Sequence, residues 1–323
     1  MLYREFGNTG LNVSAIGMGT WNIGNQWGEI DEATALATVR SAFDNGVNLF
    51  DTAEAYGIPH GLSEERLGKA LVGIRDRVHV VSKLGRWGRR SGQMVPMTTV
   101  DMVRLCLHAS LYRLRTDWID IMLCHDGRIE DPRVYLEAFE QMQQQGYIRT
   151  YGISTKNLKV LKRFNVNNTC RVVEVEYSLL NRKAEPEFLP YCQEHGIAVL
   201  IRGPLQKGLL SGKYSPDTVF TDSVRTEWYI DEARQNKLAS DLAKVEQLKT
   251  SFQPGENMVT AALRFTISHP TQPVAIPGAK SPQQAAMNAK AGNQLLSDEE
   301  RLRLIRAMQL APPAEQAIAT VAG

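Results

Sequence analysis

The chain has 323 residues, 43% of them hydrophobic and 22% charged, a composition that supports a sizeable core. Thirty-seven basic against 35 acidic residues leave a formal charge of +2, which gives no reason to expect a nucleic-acid or anionic-membrane partner. No run approaches the roughly 18 apolar residues of a membrane span, and the opening MLYREFGNTG lacks a signal-peptide core, so a cytosolic protein is expected.

In chain order, the first element is a short hairpin, YREFGNTGLNVS, turning at Asn-Thr-Gly and placed to close the bottom of a barrel. Apolar, β-branched runs follow at 13–19, 47–51, 77–83, 118–125, 147–154, 171–177, 197–202 and 273–278. Most lack polar alternation, as strands buried on both faces do. Between them lie segments of helical period. DEATALATVRSAFDNG sets Ala35, Leu36, Val39, Ala42 and Phe43 near one face and stops at Gly46. SEERLGKAL is read as opening on a Ser63 N-cap with Glu in the first turn. Further helices are read in the segments beginning at Thr99, Asp131, Pro186 and Ser281. Eight strands alternating with helices, with no linker, predict one domain over 1–323: a (β/α)8 TIM barrel, an α/β fold. A doubly wound sheet is the alternative, but GMGTWNIG does not have the GxGxxG spacing and no P-loop occurs. The stretch 203–272 is longer than the other connections and is read as a ligand-binding insertion carrying two helices. Cys106, Cys124, Cys170 and Cys192 form no CxxC pair and read as small apolar residues.

In such a barrel the C-terminal strand ends converge on one mouth. Here these are Gly19, Asp51, Lys83, His125, Ser154, Tyr177, Arg202 and Gly278, with Tyr56 on the loop after Asp51. Taken singly, Asp51 reads as well as a helix cap or turn residue, Lys83 as a solvated strand end, His125 as a satisfied polar residue and Tyr56 as packing. Together they form a proton-handling set. A tyrosine with a pKa near about 10 is a poor acid at neutrality, an adjacent ammonium lowers that value, and a carboxylate holds the ammonium. His125 adds a group able to bond a substrate oxygen.

The motifs DTAEAYG, SEERLGKAL, VHVVSKLG, IDIMLCHD, YIRTYGIST, VEYSLLNR, GPLQKGLLSGKY and IPGAKSPQQAAMNA resemble, in order, the aldo-keto reductase family, most of all its bacterial general-stress branch. The resemblance implies a barrel that binds NADP(H), in preference to NAD(H), and transfers hydride to or from a small aldehyde, ketone or sugar. It implies Tyr56 as general acid/base, Lys83 oriented by Asp51, and His125 orienting the carbonyl. The run Gly19, Thr20 and Trp21 would adjoin the nicotinamide together with Asp51. Ser154 and Thr155 would meet the carboxamide with Glu174, but Thr155 stands where the family has Asn and Glu174 where it has Gln. Arg202 replaces a common aromatic residue and reads either as a stacking group or as an ion-pair partner of Glu174 or Glu176. Gly203, Pro204, Leu205, Gln206, Gly208 and Leu209 match the pyrophosphate loop. Gly278, Lys280, Gln284 and Asn288 match the segment facing the 2′-phosphate and adenine, with Gln284 where many relatives have Arg and Met287 where many have Glu. Independently, Ser281 as N-cap and Pro282 at N1 present a helix terminus suited to an anion.

Trp21, Tyr56, Trp87 and His125, with Trp228 or Tyr229, are candidates for lining a substrate pocket. Arg86, Arg89 and Arg90 form either an anion-attracting rim or a solvated loop. No metal is expected, because the six histidines show no HxH. A slow-turnover, cofactor-binding sensor is the rival to a reductase, and oligomeric state stays open.

Overall fold

A computed structural model describes residues 1–252 and 255–309. Strand β1 (Tyr3–Glu5) pairs antiparallel with β2 (Asn12–Ser14) around a turn ending at Gly10, whose φ of 74° suits a residue without Cβ. Eight parallel strands follow: β3 (Met18–Gly19), β4 (Leu49–Asp51), β5 (His79–Leu84), β6 (Ile119–Cys124), β7 (Ile148–Ser154), β8 (Val172–Glu176), β9 (Ala198–Arg202) and β10 (Val274–Ala275). Each pairs with the next, and parallel bridges Ile16–Ala275 and Gly19–Gly278 join the last strand to the first. The (β/α)8 barrel is therefore closed.

Two expected strands are cut short. The run 13–19 is shared between two sheets: the Ala15 N–H donates to Leu2 O, while the Gly17 N–H donates to Ala275 O. The run 273–278 keeps only Val274–Ala275, flanked by Pro273 and Pro277, which have no N–H to offer a ladder.

Helices α1 (Glu32–Asp44), α2 (Leu62–Ala70), α3 (Val100–Leu114), α4 (Arg133–Gln144), α5 (Leu158–Phe164) and α6 (Phe188–Glu194) alternate with the strands. The long connection after β9 carries α7 (Glu232–Lys249) and α8 (Met258–Ile267); α9 (Pro282–Lys290) follows β10, and α10 (Asp298–Gln309) packs on α7. Asp31, Thr99 and Ser281 cap α1, α3 and α9 by accepting from the N–H three residues on. Ser63 does not cap α2. Gly61, at φ 83°, takes that position, and Ser63 lies buried inside the helix.

Inside the barrel, Leu49, Val81, Ile121, Leu123, Val172, Leu200 and Val274 meet Phe6 and Val13 of the hairpin. Each such side chain contributes about 1.5–3 kcal/mol on burial, so apolar packing seals the lower barrel, with the buried Thr150 in register beside Ile121. Phe50, Val80, Met122, Val173 and Ile201 point the other way, into the layer beneath the helices. The period of two then fixes what comes next on the inner face: Asp51 after Leu49, Lys83 after Val81, His125 after Leu123, Glu174 after Val172, Arg202 after Leu200. The upper layer is polar for that reason. No helix among the described residues is long and apolar enough to cross a membrane.

Candidate active site

Lys83 Nζ donates to both carboxylate oxygens of Asp51, at 2.7 and 2.6 Å, to Thr52 O at 2.9 Å and to the Tyr56 hydroxyl at 3.4 Å. The Tyr56 ring meets the His125 imidazole edge-on, with centroids 5.8 Å apart. Trp21 stacks on Tyr56 at 5.4 Å, its planes inclined by 19°, and its indole N–H donates to Gln26 Oε1 at 2.6 Å. The expected four residues thus meet at the C-terminal mouth. A fifth joins them: Glu174 Oε2 lies 3.0 Å from Lys83 Nζ as an ion pair, with no aligned hydrogen-bond donor.

Burial governs the electrostatics. It raises the Asp51 carboxyl well above the usual range, against Lys83 and with the charge of Glu174 adding to it. Burial acts on Glu174 too, but Lys83 and Arg202 outweigh it and hold that carboxyl below its ordinary value. Lys83 rises despite burial, because Asp51 and Glu174 favour the ammonium. Tyr56 is pushed up to about 12, by burial first; Lys83 lowers it while Glu174 and Asp51 raise it. The expected acidifying effect of Lys83 is present, yet the net shift runs the opposite way. Burial depresses His125 well below its ordinary value, with Arg86, Lys83 and Arg202 adding to the effect, so the imidazole is neutral.

Among the residues expected at a carboxamide, the Ser154 hydroxyl donates to Glu174 Oε1 at 3.0 Å. The Thr155 hydroxyl is committed to Gly127 O at 2.8 Å. Arg202 lies 3.5 Å from Glu176 and 3.9 Å from Glu174, which is the ion-pair reading of that residue. Thr20 is buried and donates to Asp51 O. Gly19 and Gly278 bridge the closing seam, and a Cβ on Gly278 would run into the Asn22 amide.

In the loop after β9, Pro204 and Leu209 are buried, Gly203 is exposed and Leu205 half-buried, and Gln206, Lys207 and Gly208 are consecutively left-handed, with φ of 47°, 53° and 93°. Two of those three carry a Cβ, a strain that clusters at functional loops. Beyond it, Ser223 donates to Gln26 O at 2.9 Å, and Arg225 bonds Asp222 and the Tyr214 hydroxyl, each at 2.6 Å. The connection thereby folds onto residues 26–28 and leaves a cavity of about 370 Å³ lined in part by Trp27, Arg225 and Lys280. Lys280 Nζ donates to Trp27 O at 2.7 Å, and its backbone N–H donates to Gln284 Oε1 at 2.9 Å. The Asn288 amide donates to Gly278 O.

The residues 15–307 match the model of the Aldo/keto reductase family. The chain belongs to the aldo-keto reductase family. An aldo-keto reductase of Bacillus subtilis, YhdN, is 32% identical over 93% of this chain and 92% of its own length. The NADH-specific methylglyoxal reductase of Escherichia coli is 28% identical, covering 91% and 94%. Among solved structures, the holo form of aldo-keto reductase AKR11C1 from Bacillus halodurans superposes with a TM-score of 0.79 at 29% identity, covering 95% of this chain and 96% of that one. An aldo-keto reductase of Klebsiella pneumoniae in complex with NADP and acetate gives 0.70 at 30% identity, covering 95% and 94%. The chain is accordingly an oxidoreductase of the aldo-keto type.

Several expected members of the site have their recorded side-chain contacts elsewhere than with Tyr56. Tyr177 is one residue past the inward-facing Glu176 and so faces the helices, its hydroxyl on Glu185 and its ring on Phe265. Trp228 and Tyr229 pack on Phe220 inside the long connection. Trp87 packs against His60 and beneath the Arg113 guanidinium. Arg86 is half-buried and Arg89 exposed; the side chain of Arg90 lies outside those described. Sequence reading missed three supports. Glu54 Oε1 accepts from the N–H groups of Gly85, Arg86 and Trp87; Gln26 Oε1 also accepts from the Gly57 N–H; and the Ser63 hydroxyl joins Thr20 to Thr52. No spacing rule marks Glu54 or Gln26, since their partners are backbone groups brought in by the fold.

Proposed function

We propose that this chain catalyses the NADP(H)-dependent interconversion of a small aldehyde, ketone or sugar carbonyl with its alcohol, in the cytosol, with Tyr56 transferring the proton. The observation that carries the reading is the hydrogen-bonded set Asp51–Lys83–Tyr56 beside a neutral His125.

The residues fit a dinucleotide. Glu174 Oε2 is a buried acceptor without an aligned donor, suited to an amide NH₂. The capped start of α9, Lys280 and the left-handed loop at 206–208 suit phosphates. Bound there, the nicotinamide supplies or accepts hydride at the carbonyl carbon. Tyr56 gives its proton to the carbonyl oxygen and takes it back in alcohol oxidation. Lys83 offsets charge on the phenolate as it forms, and Asp51 fixes Lys83 in place. His125, neutral, donates to the same oxygen and orients it. Trp21 covers one face of Tyr56, and Lys280 supplies the cation that favours a 2′-phosphate, hence NADP over NAD.

The test follows NADPH absorbance with a panel of aldehydes, ketones and sugars. Tyr56→Phe is expected to lower turnover by about 10²–10⁴-fold while NADPH still binds. Full turnover in that variant would overturn the reading.

A further inference from the structure

Glu174 is the member of the buried cluster that the proposed proton transfer does not use. It projects from β8, its side chain 1% exposed, with Oε2 3.0 Å from Lys83 Nζ. The aligned hydrogen-bond partners of Lys83 Nζ are Asp51, Thr52 O and Tyr56, so Glu174 acts on the lysine chiefly through its charge. Its Oε1 accepts from Ser154 Oγ at 3.0 Å, which fixes the carboxylate in position.

Burial and Glu174 defer the ionisation of Asp51 to higher pH; once both carboxylates are ionised, Asp51 and Glu174 around a single ammonium leave one negative charge in excess. A carboxamide at position 174 would leave none. Charges at such distances weigh more in a dry site than at the surface, and an excess anion opposes the formation of another, the Tyr56 phenolate. We propose that, on the reading of Tyr56 as the proton-transferring group, Glu174 is a positioning residue that works through Lys83 to keep Tyr56 in its proton-bearing form, setting the site for carbonyl reduction rather than alcohol oxidation.

The charged groups facing Tyr56 come from several elements: Asp51 of β4, Lys83 of β5, Arg86 after β5, His125 after β6 and Glu174 of β8, with Arg202 of β9 beside Glu174. Arg86 and Arg202 pull toward the phenolate from partly solvated positions, Arg202 at 41% exposure and shared with Glu176. His125 is neutral. The balance at Tyr56 therefore rests with the buried trio. Consistent with this, Tyr56 is pushed up to about 12, and Glu174 precedes Asp51 among the charges that raise it, after burial itself.

The test is a titration of the ligand-free protein carrying ¹³C at tyrosine Cζ, with the Tyr56 resonance assigned by its loss in Tyr56→Phe. In Glu174→Gln the Tyr56 midpoint is expected to fall by about one pH unit or more relative to the parent. A parent resonance that stays phenolic up to alkaline unfolding, while the variant titrates below that limit, meets the expectation. The alkaline limb of alcohol oxidation should move down with it. An unchanged or higher midpoint overturns the proposal. If Glu174→Gln does not fold, Glu174→Met is read the same way; if neither folds, Glu174 is a framework residue and the proposal falls. Failure of the Tyr56 reading shows separately, as full turnover by Tyr56→Phe, and would leave the ligand-free titration where it is.

Discussion

Lys83 holds both carboxylate oxygens of Asp51, at 2.7 and 2.6 Å, where the two side chains are 0% and 4% exposed. Breaking a buried pair from one side strands the other charge, which costs about 3–5 kcal/mol. Lys83→Met is expected to lose stability in that range in urea unfolding and to lose turnover, since Tyr56 is deprived of its hydrogen-bonding cation. Asp51→Asn should fall at the lower end, because Glu174 still faces the ammonium at 3.0 Å. Equal, negligible losses for both would mean that the pair contributes nothing to the fold.

The shifts at Tyr56 and His125 set an expected pH dependence. Below its pKa a tyrosine carries the proton that reduction needs, so with Tyr56 near about 12 the reduction rate should stay level through the neutral and mildly alkaline range. Oxidation needs the phenolate and should climb roughly tenfold per pH unit toward that value. His125 is a base held well below its ordinary value, so the reduction profile should show no break near about pH 6.5. The same depression means that the unfolded chain takes up a proton there and the folded one does not; stability is therefore lost as the pH falls through that region. A reduction limb at about 6.5 that disappears in His125→Asn would refute the neutral imidazole.

Asp51, Lys83 and His125 were legible because each lies two positions beyond an inward apolar residue in a strand the eye can find. Tyr177 was misplaced because a run of apolar residues hides the parity of its last member: Glu176 faces in, so Tyr177 faces out. Ser63 read as a cap because Ser before two Glu residues is what a helix start looks like, whereas the left-handed Gly61 lets α2 begin at Leu62. Glu174 was visible as a departure at a carboxamide position, but its contact with Lys83 crosses the barrel interior from β8 to β5. Such a distance depends on closure and stagger, which no local pattern encodes.

Glu54 is the clearest case of a support found only in three dimensions. A single carboxylate oxygen receives the N–H groups of Gly85, Arg86 and Trp87, at 2.6, 3.0 and 3.2 Å. Glu54→Ala leaves these donors without that partner, and at about 1–3 kcal/mol for the buried one the loss should reach about 3 kcal/mol in all. Glu54→Gln keeps an acceptor oxygen and should lose less. Because the loop follows Lys83 directly, faster hydrogen exchange at residues 85–87 should accompany a raised KM in Glu54→Ala. Unchanged exchange there would show that the loop holds its shape by other means.

We propose that Lys280 sets the choice between the two dinucleotides. Its ammonium rests on Trp27 O at 2.7 Å and borders the cavity that Arg225 also lines. A 2′-phosphate would give that ammonium a charged partner in place of a neutral carbonyl, and a charge-assisted hydrogen bond is worth about 1.5–3 kcal/mol, or about 10–100-fold in Kd. NADH has no group to receive it. Lys280→Glu is expected to raise the Kd of NADPH by at least that factor and to change that of NADH far less, read by fluorescence quenching of the tryptophans. Arg225 is different, because its bonds to Asp222 and Tyr214 hold the connection after β9 together. Arg225→Ala should weaken both cofactors alike, through a loosened connection that bears on the dinucleotide whatever its 2′ group. If Lys280→Glu behaved like Arg225→Ala, lowering both affinities equally, the lysine would be a strut for residues 27–28 and the NADP preference would have to come from elsewhere.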